Sequence, residues 1–304
     1  MAGMTTAERR GYQQICGADG MMMVVACDQR GGMRKVLADD DDARAAIDEA
    51  TLGVVKAAVV RHLANKASCV LLDAVCAVPD VVDDGVLARD TALLIGLDAS
   101  GYDTHGDGYR NSRLVEGITA RRVRELGGTG AKLMVYLRPD RPEANGHNLD
   151  IIRECVADFA AEDLLLVVEI LTYRLPDESE PDYAAAFPDL IVECGRMALD
   201  LGSKVLKMPY PGTPDACARL TSICDGVPWA VLSAGVDHET FIGQVALAME
   251  NGASGVIAGR ALWKDCVSLD ADISCTRLED VASARLAEIQ AVLADHATRR
   301  ARPA

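Results

Sequence analysis

The chain has 304 residues and a formal net charge of −15; half of it is apolar, but only 4% is aromatic. That length supports one sizeable core, and the excess of acid excludes a non-specific grip on nucleic acid or anionic lipid. No apolar run is long enough to span a membrane, and the charged first twenty residues hold no apolar leader segment, so a cytoplasmic protein is expected.

Short apolar runs alternate with helix-period segments along the chain. The runs are MMMVVACD (21–28), SCVLLD (68–73), ALLIGLD (92–98) and GAKLMVYL (130–137). Four more follow: LLLVVEIL (164–171), SKVLKMP (203–209), PWAVLS (228–233) and SGVIAGR (254–260). The spacing predicts a helix over 43–67 and another over 182–202, the second kinked or restarted at Pro188. Gly127, Gly202 and Gly252 are placed as helix C-caps. The acidic run Asp39–Asp42 suits a helix N-terminus better than a calcium site.

Near-continuous apolar strands imply burial on both faces, hence a parallel sheet covered by helices. Eight such β/α units predict an α/β fold, a single-domain (β/α)8 TIM barrel, over residues 1–304. An N-terminal extension over 1–20 and a closing helix at about 276–300 complete it. Two long connections, 101–114 and 172–182, follow strand C-termini, the end where such a barrel carries its active site.

Polar residues late in the strands are then the candidates: Asp28, Gln29, Asp73, Asp98, Lys132, Glu169, Lys207, Ser233 and Arg260. Strand parity puts Val205, Lys207 and Pro209 on one face, and Lys204, Leu206 and Met208 on the other. Lys204 can leave through the bottom of the barrel, whereas Lys207 stands at the rim just before Pro209. The bland alternative is a lysine reaching past a strand end to water. Lys132 and Glu169 on adjoining strands argue for convergence instead, and an amine beside a second cation in a dry pocket is held toward its neutral, nucleophilic form. Ser233, Gly235, Gly259 and Arg260, after the seventh and eighth strands, are placed to grip an anion.

Other signals are weaker. GGTGAK (127–132) lacks P-loop spacing and leads into a strand. The five histidines show no ligand spacing, so neither a metal nor a cofactor is expected. Ten cysteines without any C-x-x-C read as reduced thiols, and Cys27, beside Asp28, is expected at the barrel rim.

The segments ACDQRGGM, GYDT, GAKLMVYL, VEILTY, KVLKMPYPG, PWAVLSAGVDHETF and AMENGASGVIAGRALW together resemble the bacterial class I tagatose 1,6-bisphosphate aldolases and the related sulfofructosephosphate aldolases. The resemblance implies a metal-independent barrel acting through a lysine Schiff base. It implies Lys207 as that lysine, Lys132 and Glu169 as the pair assisting proton transfer, Asp28 and Gln29 near the substrate, and Ser233, Gly235 and Arg260 in the anion grip.

The implied reaction cleaves a ketose 1,6-bisphosphate into dihydroxyacetone phosphate and glyceraldehyde 3-phosphate. GYDT and LTY resemble the tagatose branch and NGASGVIAGRALW the sulfosugar branch, whose aldehyde product is sulfolactaldehyde. A sugar-phosphate isomerase or epimerase, or a non-catalytic phosphosugar-binding barrel, are the competing expectations. The expected partner is a phosphosugar or sulfosugar phosphate, with the protein a homo-oligomer.

Overall fold

The computed structural model describes residues 3–301. In chain order its strands are β1 (Met22–Cys27), β2 (Cys69–Asp73), β3 (Ala92–Gly96), β4 (Asp98–His105), β5 (Tyr109–Leu114), β6 (Gly130–Tyr136), β7 (Leu165–Leu171), β8 (Leu206–Pro209), β9 (Trp229–Leu232) and β10 (Gly255–Ala258). Eight of them close a barrel in the order β1–β10–β9–β8–β7–β6–β3–β2, and every pairing in it is parallel. The eight apolar runs are these eight strands, and the fold is a (β/α)8 TIM barrel.

Alternation along each strand divides the core in two. Val24, Leu71, Leu94, Val167, Val205 and Ile257 fill the barrel interior together with Ile15 of the N-terminal helix. Leu206, Met208, Trp229 and Val231 point the other way, into the larger layer between barrel and helices. Lys207 has the parity of Val205, as the sequence predicts, and so enters the interior one step above an apolar plug.

The helix Thr6–Ile15 lies against the other end of the barrel. Thr5 and Glu8 form a reciprocal capping box, and buried Glu8 also accepts Lys204 Nζ at 2.6 and 2.7 Å. Lys204 therefore leaves through the bottom and ends in an ion pair there.

Three details depart from the sequence reading. The helix predicted over 43–67 is two helices, Asp41–Ala46 and Glu49–His62, followed by a short 3₁₀ turn. The break comes at Ile47, because the Asp48 carboxylate accepts the Thr51 N–H at 2.8 Å and starts a new helix. The helix Glu180–Asp200 runs through Pro188 without restarting; proline there gives up its own bond, and the rest of the helix holds. The connection after β3 is no plain loop: β4 and β5 form an antiparallel hairpin around Gly106–Gly108, where Gly106 and Gly108 take positive φ.

Gly127, Gly202 and Gly252 end their helices with φ of +78°, +87° and +98°, as C-caps should. Asp40 caps the helix that follows it, accepting the Ala43 N–H at 2.8 Å. Among the described residues no helix is long and apolar enough to cross a membrane.

One buried ion pair joins the helical layer to the barrel. Lys56, fully buried on the helix Glu49–His62, bonds Asp73 at the end of β2. Asp73 also accepts the N–H groups of Val75 at 3.0 Å and Cys76 at 2.7 Å, fixing the turn that leaves the strand. Removing one member of such a pair strands a charge in the interior. Lys56→Met should cost about 3–5 kcal/mol in denaturant-unfolding free energy; a loss below about 1 kcal/mol would show that the pair is unimportant to the fold.

Candidate active site

Glu169 is the centre of the cluster at the strand C-termini. Its position on β7 pairs with Lys207 on β8 and with Met134 on β6, so neighbouring strands bring both lysines to it. Lys207 Nζ donates to Glu169 Oε2 at 2.8 Å, and Lys132 Nζ lies 3.3 Å from the same oxygen. Lys132 is also 2.7 Å from Asp28 Oδ2 and 2.5 Å from Asp98 Oδ1. Lys132, Glu169 and Lys207 are all buried.

Three carboxylates hold Lys132 as an ammonium: burial opposes the charge, but Asp28, Asp98 and Glu169 outweigh it and raise the pKa well above the ordinary lysine value. The two aspartates are driven apart. Burial alone would raise Asp28, but Lys132 and Lys207 dominate and hold its carboxyl well below the usual range. Asp98 is pushed above that range by burial, with Asp28 and Glu169 adding to the rise and Lys132 opposing it.

The four residues expected to hold an anion, Ser233, Gly235, Gly259 and Arg260, also lie together. Ser233 Oγ accepts the Gly259 N–H at 3.3 Å, tying the ends of β9 and β10 together. Ala234 and Gly235 both take positive φ, which makes a sharp turn of the backbone just after β9. A Cβ on Gly235 would sit 3.3 Å from Arg260 Cζ, so glycine leaves the guanidinium room against the main chain. Arg260 has no carboxylate at ion-pair distance among the described residues.

Apart from Gly235, these groups line one cleft with two lobes of about 300 and 520 Å³, which share Gln29, Tyr136, Glu169, Leu171, Lys207 and Arg260. Asp28 Oδ1 and Gln29 Oε1 are buried without a hydrogen-bond partner, and buried acceptors left open at a cleft suit a polar ligand. A larger cavity of about 700 Å³ lies elsewhere, between the N-terminal helix and the segment leading into β3, and holds none of these side chains.

The structure thus brings together Asp28, Gln29, Lys132, Glu169, Lys207, Ser233, Gly235, Gly259 and Arg260. It adds Asp98, whose place at a strand end was the only sign in the sequence. Asp73 lies deeper, committed to Lys56 and, at 3.5 Å, to Arg30. Cys27 is not at the rim: it faces the helical layer, fully buried, and burial pushes its thiol up to about 12. His62, Cys275 and Glu279 bring three possible metal-ligand atoms within 4.8 Å of one another. They lie apart from the cleft, and their distance along the chain hides them from a search for spacing.

The chain matches the family described as DeoC/LacD family aldolase over residues 22–265. It is 26% identical to tagatose 1,6-diphosphate aldolase 2 of Streptococcus agalactiae over 289 residues, covering 87% of each chain. Among solved structures it is similar to the fructose-bisphosphate aldolase of Slackia heliotrinireducens (TM-score 0.64, 17% identity, 100% and 95% of the two chains). It is also similar to an archaeal fructose-1,6-bisphosphate aldolase with its catalytic lysine covalently bound to the carbinolamine intermediate (TM-score 0.62, 18% identity, 92% and 98%).

The opposite shifts of the two aspartates carry a sign. Asp28, depressed in the folded state, contributes stability that is full above the ordinary carboxyl range and is lost as pH falls through its lowered value. Asp98, raised in the folded state, subtracts stability once ionised. At pH 7 Asp28→Asn should therefore cost about 2 kcal/mol or more in unfolding free energy. An unchanged unfolding free energy at pH 7 would overturn this assignment of charge.

Proposed function

This chain belongs to the DeoC/LacD family of aldolases, carbon–carbon lyases, and we propose that it cleaves a ketose 1,6-bisphosphate such as tagatose 1,6-bisphosphate through a Schiff base on Lys207. The observation carrying the reading is the buried Lys207–Glu169–Lys132 array at the mouth of the barrel. The products would be dihydroxyacetone phosphate and glyceraldehyde 3-phosphate, and Arg260 with Ser233 and Gly235 would hold the phosphate next to the reacting ketone.

Neutral Lys207 attacks the C2 carbonyl, and Glu169 Oε2, 2.8 Å away, is placed to take the proton the nitrogen sheds. Loss of water from the carbinolamine gives an iminium, which withdraws electrons from the C3–C4 bond. A base removes the C4 hydroxyl proton, that bond breaks, and the aldehyde leaves first. Glu169 is our candidate for the base. The electron pair left at C3 forms an enamine; protonation and hydrolysis then free dihydroxyacetone phosphate and restore the amine. Lys132, kept charged by Asp28, Asp98 and Glu169, helps to position Glu169 Oε2 between the two nitrogens.

Lys207→Ala should abolish cleavage of tagatose and fructose 1,6-bisphosphates in a coupled assay for dihydroxyacetone phosphate while the far-UV spectrum stays unchanged. Glu169→Gln should lower kcat by about 10²–10⁴. Arg260→Ala should act chiefly on KM. Measurable turnover by folded Lys207→Ala would remove the Schiff-base mechanism, and an unchanged KM in Arg260→Ala would remove the anion grip.

A further inference from the structure

A substrate with an anion at each end needs two anion sites, and Arg260 supplies only one. A second arginine on the same cleft is unexplained by the fold. Arg110 lies on β5 of the hairpin over the barrel mouth and lines the same lobe as Lys207, Glu169 and Arg260.

Its guanidinium carbon stands 4.3 Å from the ring centre of Tyr102, 4.6 Å from that of Tyr173 and 5.3 Å from that of Tyr136. The three tyrosines come from β4, from the end of β6 and from the segment after β7, and the rings meet edge-to-face at 5.2 and 5.9 Å. The main chain at Arg110 is clamped as well: its N–H donates to Tyr173 Oη at 3.1 Å, and its carbonyl accepts from buried Asn148 at 2.7 Å. Among the described residues no carboxylate lies at ion-pair distance from this guanidinium.

In a chain with 46 acidic residues that absence is informative. Nearby arginines do find acids: Arg113 meets Asp103 at 3.3 Å, and Arg138 meets Asp140 at 2.8 Å and Glu178 at 2.5 Å. Arg110 is held by π-faces instead, which fix a cation without neutralising it and leave its N–H edges free for an anion. Around the rim the order is Arg260 after β10, Ser233 after β9, Lys207 on β8, Glu169 on β7 and Tyr136 on β6. Lys207 therefore stands between the two arginines. Arg30, another cation near the cleft, is already committed to Asp73 and to the Asp98 carbonyl at 3.2 Å.

We propose that Arg110, stacked in its cage of three tyrosines, is the subsite for the terminal tetrahedral oxyanion of the aldehyde half of the substrate, a phosphate or a sulfonate. The proposal rests on the aldolase reading above and goes beyond it by naming the group that selects the aldehyde. A planar guanidinium offers paired N–H groups to either oxyanion.

The test separates the halves of the reaction. On one sample dihydroxyacetone phosphate is trapped on the protein with borohydride, to show that the Schiff base forms. On separate, unreduced samples the addition of free dihydroxyacetone phosphate to glyceraldehyde 3-phosphate, to sulfolactaldehyde and to uncharged glyceraldehyde is timed for the natural chain, Arg110→Met and Arg110→Lys. In Arg110→Met, kcat/KM for the anionic aldehyde should fall about 10- to 100-fold, with less than a threefold change for glyceraldehyde and with trapping retained. Arg110→Lys should be intermediate, and the better anionic aldehyde of the natural chain decides between phosphate and sulfonate. Equal losses with charged and uncharged aldehydes, or no loss with either anion, overturn the subsite while leaving the aldolase intact. If the natural chain traps no dihydroxyacetone phosphate, the aldolase reading fails and the subsite with it.

Discussion

A single carboxylate, Glu169, faces two buried lysine nitrogens above a barrel interior packed with hydrocarbon. Charges removed from water must find partners or neutralise, and the mouth of this barrel answers with two lysines and three carboxylates on five strand ends. Lys132 is the hub, bonded to Asp28 and Asp98 as well as to Glu169. The second lysine can then bear on one carboxylate shared with its neighbour, an arrangement suited to moving a proton. The cluster's cohesion and its chemistry come from the same contacts.

The barrel makes the arrangement cheap to position. Inward side chains alternate along every strand, so the apolar residues Val167 and Val205 sit directly below Glu169 and Lys207. Below them the N-terminal helix closes the bottom with Ile15 and ends its own charge in the Glu8–Lys204 pair. A rigid apolar floor keeps water from entering from beneath and leaves one open side, the face with the Ser233–Gly235 turn, Arg260 and the β4–β5 hairpin. Lys207 lies between the two arginines on that open side.

Much of this was legible in the sequence, for a physical reason. Eight strands buried on both faces announce themselves as apolar runs, and a period of two tells which face Lys207 takes. The glycine C-caps at 127, 202 and 252 were equally readable, since a left-handed backbone favours that residue. What escaped was whatever depends on distant partners or on local competition. Asp48 stops a helix that periodicity alone would continue. The hairpin carrying Arg110 has polar outer positions and so resembles a loop. Lys56 looks like a surface lysine until Asp73 is seen opposite it; Cys27 is turned into the helical layer by alternation from its neighbour Asp28, which faces the cleft. The convergence of Asp28 and Asp98 on Lys132 likewise needs the closed barrel.

The central claim is that the buried Lys207 amine bonds to a ketone carbon. The direct measurement is to incubate the protein with dihydroxyacetone phosphate, reduce with borohydride, digest, and locate the added mass. The account predicts one adduct, on Lys207, and none on Lys132, whose three carboxylates keep it protonated. Binding of dihydroxyacetone phosphate without any adduct, or an adduct on Lys132 alone, would contradict it.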